Sequence, residues 1–119
     1  MKIGLISDVH ATANPVEEAL TIFRQESVDI TICVGDIAGY GEELDKTVEL
    51  LLKSECQIIS GNHDTWFLES AISDEKQWIK EYFLTLPTNL DFTIEDKHMY
   101  VVHASPPCSN MKGIKLLDQ

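Results

Sequence analysis

Asp8 and His10 stand two residues apart, just after an apolar run, Lys2-Ile3-Gly4-Leu5-Ile6-Ser7. Gly35-Asp36 follows a second run, Asp29-Ile30-Thr31-Ile32-Cys33-Val34, and Gly61-Asn62-His63-Asp64 follows a third, Cys56-Gln57-Ile58-Ile59-Ser60. A later imidazole, His103, ends one more apolar stretch. Carboxylate, imidazole and amide groups are ligands for borderline divalent metals such as Mn²⁺, Fe²⁺, Ni²⁺ or Zn²⁺. The Asp8-x-His10 spacing, in a loop leaving a strand, lets both side chains reach one ion. A carboxylate on the neighbouring strand end, Asp36, can bridge two. Paired metals about 3.5–4 Å apart clamp a phosphoryl group and activate water near neutral pH. A histidine outside the ligand set can give a proton to the leaving oxygen.

Such groups must be carried by elements that converge. Residues 2–7, 29–34 and 56–60 read as strands apolar on both faces, hence buried and parallel. Between them, Asn14-Pro15-Val16-Glu17 reads as a helix start, with Asn14 as the capping side chain. Val16, Ala19, Leu20 and Phe23 recur at helical spacing, as do Leu44, Val48, Leu51 and Leu52. The order β-α-β-α-β predicts an α/β fold with a parallel first sheet, whose ligand sites lie at the carboxyl ends of the strands. Residues 65–86 read as helical, with Trp66, Phe67, Trp78, Ile79, Phe83 and Leu84 as packing anchors, up to Pro87. Residues 90–95 and 98–103 read as a hairpin turning at Glu95-Asp96-Lys97, with His98 a solvated turn residue.

The length, 119 residues, fits one domain over 1–119. The formal net charge of −11 removes any electrostatic reason for nonspecific binding to nucleic acid or an anionic membrane. A phosphate-bearing substrate would need bound cations to offset that field. No stretch is long enough to span a bilayer, and the N-terminus does not read as a signal peptide. Cys33, Cys56 and Cys108 form no C-x-x-C, which points to reduced thiols and a cytoplasmic setting. Gly39-Tyr40-Gly41 lacks the full G-x-G-x-x-G, and no Walker lysine motif is present. Tyr40 either lines the site or packs, and Trp66 and Trp78 read as core residues.

In identity and order, Asp8-x-His10, Gly35-Asp36, Gly61-Asn62-His63-Asp64 and Val102-His103 resemble the calcineurin-like metallophosphoesterases. The run Val34-Gly35-Asp36-Ile37-Ala38-Gly39-Tyr40-Gly41 and the stretch from Leu86-Pro87 through His103-Ala104-Ser105-Pro106 look like the small bacterial and archaeal phosphodiesterase-like branch. The resemblance covers almost the whole chain. It implies an α/β/β/α sandwich, two sheets with helices outside. It also implies two divalent metals, Mn²⁺ first and Ni²⁺, Fe²⁺ or Zn²⁺ as alternatives. Asp8 and His10 would hold the first metal, Asp36 would bridge, and Asn62 and His103 would hold the second. His63 would contact phosphate and assist the leaving group, with Asp64 orienting it. A metal-activated hydroxide would then hydrolyse a small phosphoester, a phosphodiester first.

The chain departs from the family at one point. Members carry a further Gly-His-x-His on later strands, and no such motif follows His103; Ala104 also stands where glycine is usual. The resemblance therefore implies that each metal lacks one imidazole and that the second sheet is incomplete. An open sheet edge predicts self-association. It also makes room for an alternative: a degenerate, weakly active or inactive metal- and phosphate-binding or interaction module, or a fragment of an enzyme.

Overall fold

A computed structural model describes residues 1–70 and 77–103. The chain forms an α/β/β/α sandwich with a parallel first sheet and a smaller second sheet. β1 (Ile3–Ile6), β2 (Ile30–Cys33) and β3 (Gln57–Ile58) pair in parallel in the order β1-β2-β3, with Ile3 opposite Ile30 and Cys33 opposite Ile58. The connecting helices are α1 (Ala13–Gln25) and α2 (Leu44–Lys53). Val16 and Leu20 of α1 and Leu44, Val48 and Leu51 of α2 are buried together with Cys33 and Ile58 in one core. The helical periodicity seen in the sequence is thus the face that covers the sheet, except for Leu52, which is exposed.

Several details differ from the sequence reading. Asn14 lies inside α1 and does not cap it: Thr12 occupies the N-cap without a side-chain hydrogen bond. The Glu43 carboxylate, reaching across from the loop before α2, instead accepts the Ala13 N–H at 3.3 Å. Among the described residues β1 is an end strand, and its two faces are unequally covered. Gly4 lies so close to the Phe23 ring that a Cβ there would meet it at 2.9 Å, whereas Leu5 on the other face is 59% exposed. β3 is shorter than expected because the Ser60 N–H turns away to Pro87 O, at 2.8 Å.

The segment after β3 is two helices, α3 (Asn62–Glu69) and α4 (Gln77–Leu84), with Phe67 and Phe83 in edge contact at 5.2 Å. Residues 71–76 of the expected helical run lie outside the described residues. α3 starts earlier than expected and takes in Asn62-His63-Asp64. β4 (Asn89–Ile94) and β5 (Lys97–Val102) pair antiparallel, Ile94 opposite Lys97, around a two-residue turn at Glu95 and Asp96. Both turn residues have positive φ, 51° and 64°, the backbone of the tight hairpin turn that follows strand twist. His98 therefore belongs to β5 and not to the turn; it is exposed and its ring meets the Asp91 carboxylate. No helix among the described residues is long and apolar enough to cross a membrane.

Candidate metal centre

The loops after β1 and β2 run side by side beyond the strands. Asp8 N–H donates to Gly35 O at 3.0 Å, His10 N–H to Asp36 O at 3.0 Å, and Ala11 N–H to Ile37 O at 2.6 Å. To keep this contact, Asp8, His10, Ala11 and Asp36 take left-handed backbone, with φ of 57°, 44°, 55° and 58°. Each such non-glycine residue costs about 1–2 kcal/mol, least for aspartate. Conformations of this kind persist where surrounding bonds over-determine them, and they cluster at functional sites.

These loops aim a compact polar group. Asp36 is 3% exposed, and its Oδ1 accepts the His63 backbone N–H at 2.9 Å. Its Oδ2 lies 3.3 Å from His103 Nε2 and 4.0 Å from His10 Nε2, and Asp8 Oδ1 lies 3.7 Å from the same His10 nitrogen. Both imidazoles are oriented from behind. His10 Nδ1–H donates to Ala38 O at 3.0 Å and His103 Nδ1–H to Val34 O at 2.6 Å. A neutral ring that donates from Nδ1 presents a bare lone pair at Nε2, so both lone pairs face carboxylates. The Asn62 amide oxygen also faces only acceptors, namely the Asp36 carboxylate and His103 Nε2. Among the described residues, no lysine or arginine pairs with Asp8, Asp36 or Asp64. Lone pairs converging without a proton donor suit a cation; failing one, the Asn62 amide would turn its NH₂ toward Asp36 and His103. The donor set therefore fits divalent metal.

The possible ligand atoms form two groups that share Asp36, each with its atoms within 4.8 Å of one another: Asp8, Asp36 and His103, and His10, Asp36 and His63. All the expected site residues are brought to one end of the first sheet. His103 arrives from the second sheet, one residue beyond β5. The grouping differs from the expected pairing, because His63 stands close enough to His10 and Asp36 to count as a ligand itself.

Asp64 is placed differently from its expected role. It is fully buried, and its carboxylate accepts the backbone N–H groups of Asp36 at 2.9 Å, Ala38 at 2.8 Å and Gly61 at 2.9 Å. It makes no hydrogen bond to the His63 ring. Burial raises its pKa, against the backbone donors that lower it. Asp64 thus fastens the β2 loop to the start of α3. Glycine is needed where that fastening brings backbones together: a Cβ on Gly61 would collide with Asp36 Oδ1, and one on Gly39 (φ 132°) would stand 2.5 Å from His10 Nδ1. Cys33 and Cys56 are free thiols, pushed up to about 12 chiefly by burial, so neither is a ready nucleophile.

Sequence reading did not place Trp66 beside the candidate site. It is 47% exposed, and its ring meets His63 at 4.8 Å. The i, i+3 spacing of His63 and Trp66 on one helix was the available signal. The carbonyls of Val34 and Ala38, which orient the two imidazoles, carry no signal in residue type.

The chain belongs to the calcineurin-like phosphoesterase superfamily, whose domain model matches residues 1–116. An uncharacterized protein of Methanocaldococcus jannaschii is 30% identical over 120 residues, covering 87% of this chain and 49% of its own length. The crystal structure of a metallophosphoesterase from Sphaerobacter thermophilus superposes with a TM-score of 0.75 at 27% identity, over 96% of this chain and 51% of that one. Yfce, a phosphoesterase from E. coli, shares the fold at 19% identity, with a TM-score of 0.64 over 100% of this chain and 65% of its own. The chain spans about half the length of the curated relative it matches.

Proposed function

We propose that this chain is a divalent-metal- and phosphate-binding module of the metallophosphoesterase type, with slow phosphoester hydrolysis of its own. The observation that carries this is the sharing of buried Asp36 by two ligand groups, which is the arrangement a two-metal site needs. With His63 left out of the ligand set, the described residues offer Asp8, Asp36 and His103 to one ion and His10 and Asp36 to the other, with Asn62 beside them. That is few for a pair of ions, so affinity is set lower than in a site with more imidazoles. When bound, the ions would supply positive charge for a phosphate and lower the pKa of water. Asp8 and Asp36 would hold them, His10 and His103 would present fixed Nε2 lone pairs, and Asn62 would offer its amide oxygen. The His63 ring, which has no hydrogen bond among the described residues, would meet the phosphate and protonate the leaving oxygen. Mn²⁺ is the first choice among Mn²⁺, Ni²⁺, Fe²⁺ and Zn²⁺. The substrate class is a small phosphodiester or phosphomonoester, in keeping with the phosphodiesterase-like branch that Val34–Gly41 resembles. Three cysteines with no C-x-x-C favour a cytoplasmic setting, and the exposed Leu5 favours self-association.

The second reading is a fully competent two-metal phosphodiesterase, and the placement of His63 against the shared carboxylate favours it. Mn²⁺ titration calorimetry and hydrolysis of bis(p-nitrophenyl) phosphate by wild type, Asp36→Ala and His63→Ala separate the two. Wild type should bind Mn²⁺ and turn over more slowly than about 1 s⁻¹, below the usual enzyme range; faster turnover supports the second reading. Asp36→Ala should lose both metal binding and turnover. His63→Ala should keep Mn²⁺ and lose about 100-fold in rate. Loss of one Mn²⁺ equivalent in His63→Ala would make that residue a ligand, and Mn²⁺ binding untouched in Asp36→Ala would sink the proposed centre.

A further inference from the structure

Two exposed rings flank the metal centre, and neither metal nor phosphate binding uses them. Tyr40 is 84% exposed, and its ring meets those of His10 at 5.0 Å and His63 at 5.1 Å in edge geometry. Trp66, 47% exposed, meets the other neighbour of this row, His63, at 4.8 Å. The His63 imidazole therefore stands in contact with both an exposed tyrosine and an exposed tryptophan.

A ring on a loose loop would need no explanation, but the backbone that carries Tyr40 is pinned. The Gly41 N–H donates to His10 O at 2.8 Å, and a Cβ on Gly41 would collide with the carbonyls of His10 and Ala11. Gly39 approaches the His10 ring closely at positive φ, where a side chain would be strained as well as obstructed. The loop is thus fitted onto the centre with glycine on both sides, and the residue between them carries a large ring that stays in water. Burial cannot be what selects that ring, since exposed apolar surface contributes little to folding. A rigid amphipathic ring at a binding site offers contact area at low entropy cost.

We infer that Tyr40 and Trp66 form a stacking platform for a planar aromatic group attached to the phosphoester, a nucleobase or an aryl ring. The inference rests on the reading of the adjacent centre as a phosphate site, and it narrows the substrate class. Small ligands are favoured over polymers, because the net charge of −11 opposes a polyanion.

The test is calorimetric binding, with Mn²⁺ present, of adenosine 5′-monophosphate, phenyl phosphate, ribose 5-phosphate and inorganic phosphate. Wild type, Tyr40→Ala, Tyr40→Phe and Trp66→Ala are compared. At least one aromatic ester should bind wild type about tenfold more tightly than ribose 5-phosphate, the size expected of one stacked ring. Preference for adenosine 5′-monophosphate identifies a base as the stacked group, and preference for phenyl phosphate an aryl ring. The advantage should shrink to about twofold or less in Tyr40→Ala and Trp66→Ala and return in Tyr40→Phe. Inorganic phosphate, which has no ring, should bind Tyr40→Ala as it binds wild type. Equal affinity of wild type for all three esters, or an aromatic advantage that survives both alanine substitutions, overturns the platform while leaving the phosphate site standing. Failure of inorganic phosphate and of every ester to bind overturns the phosphate site and the platform together.

Discussion

The loops beyond the first sheet and the β4–β5 hairpin use the same uncommon backbone for different ends. Asp8, His10, Ala11 and Asp36 have φ between 44° and 58°, and Glu95 and Asp96 have 51° and 64°. In the hairpin the positive φ values are local. They close a tight turn between paired strands, with both residues exposed. At the candidate metal centre they are held by bonds from elsewhere in the chain: Gly35, Asp36 and Ile37 carbonyls on one side, and the buried Asp64 carboxylate under the other. The difference is between strain that chain reversal requires and strain that neighbouring elements impose. Only the second kind fixes side chains in advance of a ligand, which is how a preorganised site avoids the entropy of assembling itself.

The largest test of this comparison is removal of the fastening. Asp64→Ala would leave three buried backbone N–H groups without an acceptor, at about 1–3 kcal/mol each. Urea unfolding should show a loss of about 3 kcal/mol or more, and Mn²⁺ affinity should fall with it although Asp64 belongs to neither ligand group. Asp64→Asn, which keeps one acceptor oxygen, should lose less. Unchanged stability in Asp64→Ala would mean that the loops hold themselves, as the hairpin does. A smaller effect is expected from His103→Ala, the one candidate ligand that the second sheet supplies among the described residues. It belongs to only one of the two ligand groups. Calorimetry should therefore show one Mn²⁺ equivalent weakened, on the order of 100-fold, with the other retained. Loss of both would show that the hairpin, and not the first sheet alone, organises the centre.

The residues proposed to bind were more legible than the bonds that aim them. Asp8, His10, Asp36, Asn62, His63 and His103 could be read because each follows an apolar run, and parallel strands deliver their ends to one edge. The fold was legible for the same reason, through the alternation of buried strands and amphipathic helices. What sequence obscured was tertiary. Asn14 has the chemistry of a cap, but Glu43 from another loop took the Ala13 N–H. Leu5 reads as buried from its apolar neighbours, yet β1 lies at the end of the sheet, where coverage depends on what packs opposite. Asp64 reads as a partner for His63 because the two are adjacent, whereas the helix turns its carboxylate toward the backbone of Asp36 and Ala38. Trp66 has the composition of a core residue, and only its place on α3 beside His63 shows otherwise.

The smallest expected effect lies in the hairpin and sharpens the comparison from its other side. Glu95 and Asp96 hold a turn that Asn-Gly would hold with less strain. Replacing them together, Glu95→Asn with Asp96→Gly, relieves left-handed backbone at both positions. Against this stand the greater freedom of glycine in the unfolded chain and the loss of the exposed pair between the Met1 amine and Glu95 at 3.2 Å, worth little in water. The net gain should be about 0.5 kcal/mol in urea unfolding. Because the turn lies at the far end of β5 from His103, Mn²⁺ affinity should not move. A change in metal affinity would mean that the turn transmits its geometry along β5 to the ligand, and that its strain, too, serves the centre.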